Sequence, residues 1–402
     1  MTVDPVFGPF FWGKLLSSCG TWTFVVVAAI LAFDLSGSAW AVGMVTVAHS
    51  APQLLCAPFS GQLADRGKAA TQIVVGSLLT GVGAGGLALW LWLVGGADGL
   101  PGLTPVMLSS VVVGLGFAIG GPAMQSIVPT MIRPGEMAAA MSLNTVPITV
   151  GRAGGPAMGA AVAAQWGLAP AFMITAVTHI VFGIILWTLR IPSGPAPRRD
   201  TDFSMRSVLR YLRAHRALLV LLLGIAAVGV GVDPAVTLAP ALAEHLGAGT
   251  ALAGWMASCF GIGAGIGFLL FGPLHRCTGI ERLGSGGLLL IAGGLVCAGV
   301  VGDAVFALIA FGVSGVGMTL AFTSITTQIQ NRSPDEFRGR IMALWFVGFV
   351  GARPFVAGLS GWVTDTIGVT AALVAVALSV VAVAYLCRPG YLASPRSITT
   401  ES

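Results

Sequence analysis

Apolar runs of about twenty residues, the length one membrane-crossing helix needs, follow one another along almost the whole chain. They lie at 12–34, 39–60, 71–94, 105–128, 137–163, 169–190, 217–243, 250–273, 283–302, 304–328, 339–363 and 368–387, separated by short charged or Gly/Pro-rich breaks. Only 9% of the 402 residues are charged, against about 25% in soluble domains. So few charges could not cover a water-soluble globule of this size. The pattern equally excludes a disordered chain, a coiled coil and a secreted disulfide scaffold. It predicts an all-α polytopic membrane protein with twelve transmembrane helices. The first run follows Lys14 and is too long for a signal-peptide core, so it reads as an uncleaved span. The six cysteines have no CxxC spacing and read as small core residues.

Basic residues fix the expected orientation. With both termini on one side, that side receives eighteen of the twenty Arg and Lys residues, Lys14 included. The opposite loops receive none, and Arg152 and Arg353 fall within spans. The positive-inside rule then places both termini in the cytoplasm. The longest break, 191–216, opens with Pro192, Pro195 and Pro197 and divides the spans six and six. The expected organisation is an N-terminal half at 1–190, a cytoplasmic linker at 191–216, a C-terminal half at 217–388 and a tail at 389–402. Within the linker, Arg206, Arg210 and Arg213 share one helical face, and Met205, Val208, Leu209 and Leu212 fall largely on the other. That pattern fits a basic amphipathic helix on the inner leaflet as well as a solvated linker. Two six-helix halves suggest an internal repeat.

Three stretches resemble the major facilitator superfamily. Gly61-Gln62-Leu63-Ala64-Asp65-Arg66-Gly67-Lys68 is similar to its loop 2–3 signature, one residue short between Arg66 and Gly67. The resemblance implies a cytoplasmic gate built on Gly61, Asp65, Arg66 and Lys68, in which Asp65 can cap a neighbouring helix. The run from Gly151 to Gly159, with Gly155 and Pro156, resembles the superfamily's antiporter motif, with Ala160 in place of its last glycine. In the family that motif accompanies exporters and the contact between halves. Small residues four apart let helices approach closely, and Pro156 bends its helix. Pro334, Asp335, Glu336, Arg338, Gly339 and Arg340 resemble a run in the third drug:proton antiporter branch, which includes macrolide, multidrug and enterobactin exporters. The resemblance covers nearly the whole chain. One departure is that span 4 has Gly114 and Gly116 but no arginine, a residue that many proton-coupled drug exporters carry there.

Ionisable residues inside a membrane are costly and face a cavity or a partner. Counted from the cytoplasmic ends of their spans, Asp233, Arg152 and Arg353 lie at similar depth, about 21–24 Å along their helices at 1.5 Å per residue. In the superfamily fold span 7 neighbours span 11 and span 1 neighbours span 5. The expected pairs are therefore Asp233 with Arg353, and Arg152 with Asp34, although Asp34 falls nearer the outer surface. Pro234 should break the helix beside Asp233. Protonation of Asp233 would release Arg353, and substrate would compete for the same charge; a static structural salt bridge is the alternative. His49 and His179 are titratable or packing residues. Gln53, Gln125, Asn144, Thr323, Ser324, Thr327 and Gln328 are substrate contacts or interhelical glue.

The function so implied is an exporter in the bacterial cytoplasmic membrane. It moves an amphipathic drug or natural product by alternating access in exchange for protons, with siderophore export as the variant within the branch. An uptake symporter or facilitator, or a non-transporting sensor, are the rivals. No phosphate-binding loop, metal cluster or nucleophile motif points to an enzyme or to a cofactor. The expected partners are the small-molecule substrate, protons and the lipid bilayer, with no nucleic acid, and the expected state is a monomer.

Overall fold

The computed structural model describes residues 4–63, 69–131, 136–189, 210–213, 215–249 and 251–392, and these are helical apart from short turns. Twelve long helices run in chain order among the described residues: α1 Phe7–Ser36, α2 Ala39–Leu63, α3 Ala69–Leu93, α4 Thr104–Ser126, α5 Met137–Trp166, α6 Leu168–Thr188, α7 Arg216–Val232, α8 Ala251–Thr278, α9 Ile280–Val300, α10 Ala304–Arg332, α11 Asp335–Thr366 and α12 Val369–Leu386. Among the described residues, ten of these are long and apolar enough to cross a membrane. The other two are α2 and α5. They are of spanning length, 25 and 30 residues, but they carry the polar residues His49 and Gln53, and Asn144 and Arg152. Large apolar side chains such as Trp187 and Leu269 stand exposed around the bundle, as lipid contact requires.

Helix ends follow local chemistry. The Asp4 carboxylate accepts from the backbone N–H groups of Val6 and Phe7, at 2.9 and 3.0 Å. α1 therefore starts five residues before the expected boundary. This corrects the reading of Lys14 as a flanking loop charge. Lys14 is buried in the third turn of α1, where its Nζ donates to Asn144 Oδ1 and to the Asn144 carbonyl of α5. The Asp303 side chain caps α10 by accepting from Val305 and Phe306 N–H.

In the N-terminal half, α1 packs on α5 and α6, α3 on α4 and α6, and α2 on α4. In the C-terminal half, α7 packs on α11 and α10, α8 on α10, and α9 on α10 and α12. The halves meet where α2 lies on α11 and α5 on α8. Single glycines with positive φ join α5 to α6 (Gly167, φ 91°) and α11 to α12 (Gly368, φ 127°). Both cavity arginines, Arg152 and Arg353, lie fifteen residues before these joints, so the two halves share one register.

Most of the linker, with its expected amphipathic helix, lies outside the described residues, although residues 210–213 are helical. Asp65, Arg66 and Lys68 also lie outside them, while Gly61 falls in the last turn of α2. Pro334 precedes α11, and Asp335, Glu336, Arg338, Gly339 and Arg340 form its first turns.

Candidate functional site

α7 stops at Val232 and the chain resumes as two short helices, Pro234–Thr237 and Ala239–His245. Pro234 has no N–H, so the carbonyl four residues earlier loses its helical partner and the helix breaks there. The break places Asp233, with no exposed surface, against α11. Its Oδ1 lies 3.8 Å from Arg353 Nε. The Thr237 hydroxyl, one turn further on, is the other polar group beside the carboxylate, and Arg353 Nε makes no hydrogen bond. The structure thus brings the expected pair together as a long ion pair. Gly229 of α7 makes this approach possible, because a Cβ there would collide with the Phe349 carbonyl of α11.

Arg353 opens onto a cavity of about 220 Å³ between the halves. Arg152 reaches the same cavity from α5, and Thr46, His49 and Gln53 reach it from α2. The walls are aromatic, with Trp22, Phe24, Phe117 and Phe349. Arg152 lies over the Trp22 ring, with Cζ 4.6 Å from its centroid, and its Nη1 is 3.8 Å from Met318 Sδ of α10. Its Nε has no hydrogen-bond partner, and neither does His49 Nδ1. The His49 ring is held edge-on to Phe117 at 5.8 Å. Across the halves, the Thr46 and Thr237 hydroxyls stand 3.4 Å apart.

The expected meeting of Arg152 with Asp34 does not occur. Asp34 is twelve residues beyond Trp22 on α1, about 18 Å at 1.5 Å per residue. It is exposed and lines a separate open groove beside the α3–α4 and α5–α6 turns. Arg152 lies beside α1 at the level of Trp22 and is too short to climb that distance.

The glycine motif of α5 divides its work between two neighbours. Gly151, Gly155 and Gly159 face α1 of the same half. A Cβ at Gly155 would stand 2.7 Å from the Cys19 carbonyl and 2.8 Å from Trp22 Cβ. Thr23 Oγ1 donates to the Gly155 carbonyl at 2.9 Å. Pro156 and Ala160 face the other half, where they meet Gly254 of α8. The contact between halves thus uses the proline side of the motif, while its glycines serve α1. Gly261 of α8 lies against the Arg152 carbonyl, which Pro156 leaves without its helical donor. The Ala157 N–H donates across the halves to Ser258 Oγ at 2.8 Å. Gly114 and Gly116 of α4 pack on His49 of α2 and on Gly76 of α3.

His179 is a packing residue. It is buried between α6 and α1, with Nδ1 3.0 Å from the Thr175 carbonyl and Nε2 3.2 Å from Thr21 Oγ1. Of the polar candidates, Gln53 lines the cavity and Asn144 holds Lys14. Gln328 reaches the Ile280 carbonyl of α9, and the Gln125 side chain lies outside the described residues.

One residue escaped sequence reasoning altogether. Asp365, in the last turn of α11, caps α2 of the opposite half. Its carboxylate accepts from the N–H groups of Ala39 (2.8 Å) and Trp40 (3.0 Å) and from the Ser38 hydroxyl (2.5 Å). The only available signal was an acid at the end of a span that carries no nearby basic partner.

A family model described as transmembrane secretion effector matches residues 3–396. The chain belongs to this family, within the major facilitator superfamily. It is a multi-pass membrane transporter and not an enzyme. Among its relatives, the enterobactin exporter EntS of Salmonella typhi is 25% identical over 373 residues, covering 90% of this chain and 86% of that protein. The enterobactin exporter EntS of Escherichia coli O81 is 24% identical over the same length. Among solved structures, a peptide transporter POT is similar with a TM-score of 0.77 at 14% identity, covering 95% of this chain and 93% of that one. A bacterial homologue of the iron transporter ferroportin gives 0.73 at 16%, covering 98% and 100%. These likenesses carry the fold.

Proposed function

We propose that this transporter exports an amphipathic small molecule by alternating access in exchange for protons, with the cavity between the halves as its substrate site. The observation that carries this reading is the Asp233–Arg353 pair. It is a carboxylate with no exposed surface, set at a helix break and paired at long range with an arginine that lines a cavity shared by both halves. Protonation of Asp233 would dissolve the pair and free Arg353 for substrate. Substrate bound at Arg353 would in turn favour protonation of Asp233. Such mutual exclusion is what antiport needs. The exporter relatives support the outward direction, and their name favours siderophores as a second substrate class. On this reading both termini lie in the cytoplasm, and α2 and α5 complete twelve crossings.

The test is transport in inverted membrane vesicles under an imposed pH gradient, following vesicle pH and a panel of amphipathic compounds. Substrate-triggered proton release that disappears in Asp233→Asn is expected. Proton-linked transport that survives the substitution would remove Asp233 as the coupling residue. Uptake in the opposite direction would overturn export.

A further inference from the structure

The two arginines occupy the same register of the two halves but keep different company. Arg152 lies fifteen residues before Gly167 and Arg353 fifteen before Gly368. α5 packs on α1 as α11 packs on α7. In the C-terminal half the neighbouring helix supplies a carboxylate, Asp233, at 3.8 Å. In the N-terminal half it supplies an aromatic face, Trp22, at 4.6 Å. Arg152 forms no ion pair among the described residues, and its Nε is buried without a hydrogen-bond partner. No acid is among the described residues lining the cavity. Two guanidiniums therefore face one carboxylate, which is already paired, and one positive charge is left over.

An unmatched charge at this depth is costly. The Trp22 face keeps the guanidinium charged, because a ring quadrupole attracts a cation without neutralising it. It also holds the planar group fixed, with Nε free for a ligand and Nη1 spent only on the weakly accepting Met318 sulfur. We propose that Arg152 is the recognition site for an acidic group on the substrate, and that the cargo is an aromatic or amphipathic carboxylate or similarly planar acid. The fork of Arg152 takes the acid, for which guanidinium geometry is suited. Trp22, Phe24 and Phe349 take the apolar ring. A cationic amphiphile meets like charge from Arg152 and finds Asp233 occupied by Arg353. This inference rests on the cavity being the substrate site, and it narrows the class of substrate that site admits.

The test is equilibrium binding to the purified full-length protein in micelles, corrected for partition into empty micelles. Three probes of matched size are used: 2-naphthoate, its methyl ester and 2-naphthylmethylammonium. Binding of the anion about tenfold or more tighter than the ester, with the cation weakest, is expected. Arg152→Gln should abolish that tenfold preference while leaving ester binding in place, and Arg152→Lys should recover part of it. The ester bound by Arg152→Gln shows that the variant is folded; should it fail to fold, the three-probe series on the unsubstituted protein decides alone. Equal or tighter binding of ester or cation, or no binding of any probe at millimolar concentration, would overturn the proposal. So would an anion preference that persists in Arg152→Gln. Binding in micelles needs no gradient. A cavity that prefers anions in a protein that fails the vesicle assay would therefore overturn only proton-coupled export.

Discussion

Asp233 carries a strict energetic condition, because it is an acid with no exposed surface whose charged partner among the described residues is an arginine. Removing one member of a buried pair leaves an uncompensated charge and costs about 3–5 kcal/mol, whereas replacing both is often neutral. The two members are not equivalent. The Arg353 side chain keeps 21% of its surface exposed toward the cavity, and Asp233 keeps none. Arg353→Gln should therefore lower the thermal unfolding midpoint in detergent more than Asp233→Asn does, and the double variant should recover most of the loss. A double variant no better than Arg353→Gln alone would mean that the pair is not coupled. The pairing was legible because both residues interrupt apolar runs at equal depth and the resemblance to the major facilitator superfamily implies that span 7 lies beside span 11. Lys14 was misread for a related reason. A charge at the edge of an apolar run resembles a flank, and only Asp4 and Asn144 show that the helix begins earlier and buries it. Arg152 was recognised as intramembrane but given the wrong neighbour. Depth along a helix does not say which face of the adjacent helix it meets, and Trp22 rather than Asp34 lies there.

At the scale of the element, α5 shows how a motif can be visible while its partners are not. Spacing alone marked Gly151, Gly155 and Gly159 as a close-packing face, but whether that face met the same half or the other was not encoded in the spacing. The structure gives it to α1, and Gly154 beside it has open space where its Cβ would go. The two adjacent glycines should therefore respond with opposite sign. Gly155→Ala places a methyl against the backbone carbonyl of Cys19 and should destabilise the protein by about 1–3 kcal/mol. Gly154→Ala gains helix propensity at an exposed position, worth up to about 1 kcal/mol. Thermal unfolding of the two variants side by side checks this; a similar loss in both would mean that the glycines act through helix flexibility and not through contact with α1. The break in α7 was easier to foresee, since Pro234 carries its own backbone cause, and the same chemistry leaves the Arg152 carbonyl facing Gly261 above Pro156.

For the whole molecule, the informative contact is the one that joins residues 326 positions apart in the chain. Asp365 was not legible in the sequence because a helix-ending acid looks like an ordinary solvated charge. Its partner, the N-terminus of α2, comes within reach only when the two halves meet. The expected cap, Asp65, belongs to the opposite end of α2, so one helix has a candidate acidic cap for a neighbour at one end and receives an acidic cap at the other. If the halves rock against each other during transport, the Asp365 contact must break each time the cavity opens at the α1–α2 end. A capping carboxylate on free helix N–H groups is worth about 1 kcal/mol, and its charge against the helix dipole adds about 0.3–1 kcal/mol. Asp365→Ala should therefore shift the balance between closed and open states at that end by about 1–2 kcal/mol, roughly five- to thirty-fold. The readout is labelling of Thr46→Cys, which lines the cavity, by a membrane-impermeant maleimide applied from the side of the α1–α2 turn; it should become faster when Asp365→Ala is added. In the converse experiment, a disulfide between Ser38→Cys and Asp365→Cys, in a background without the six native cysteines, holds that end shut. Transport should stop under oxidant and return with reductant. Export at the unmodified rate with the disulfide formed would show that this end of the bundle does not open during the cycle.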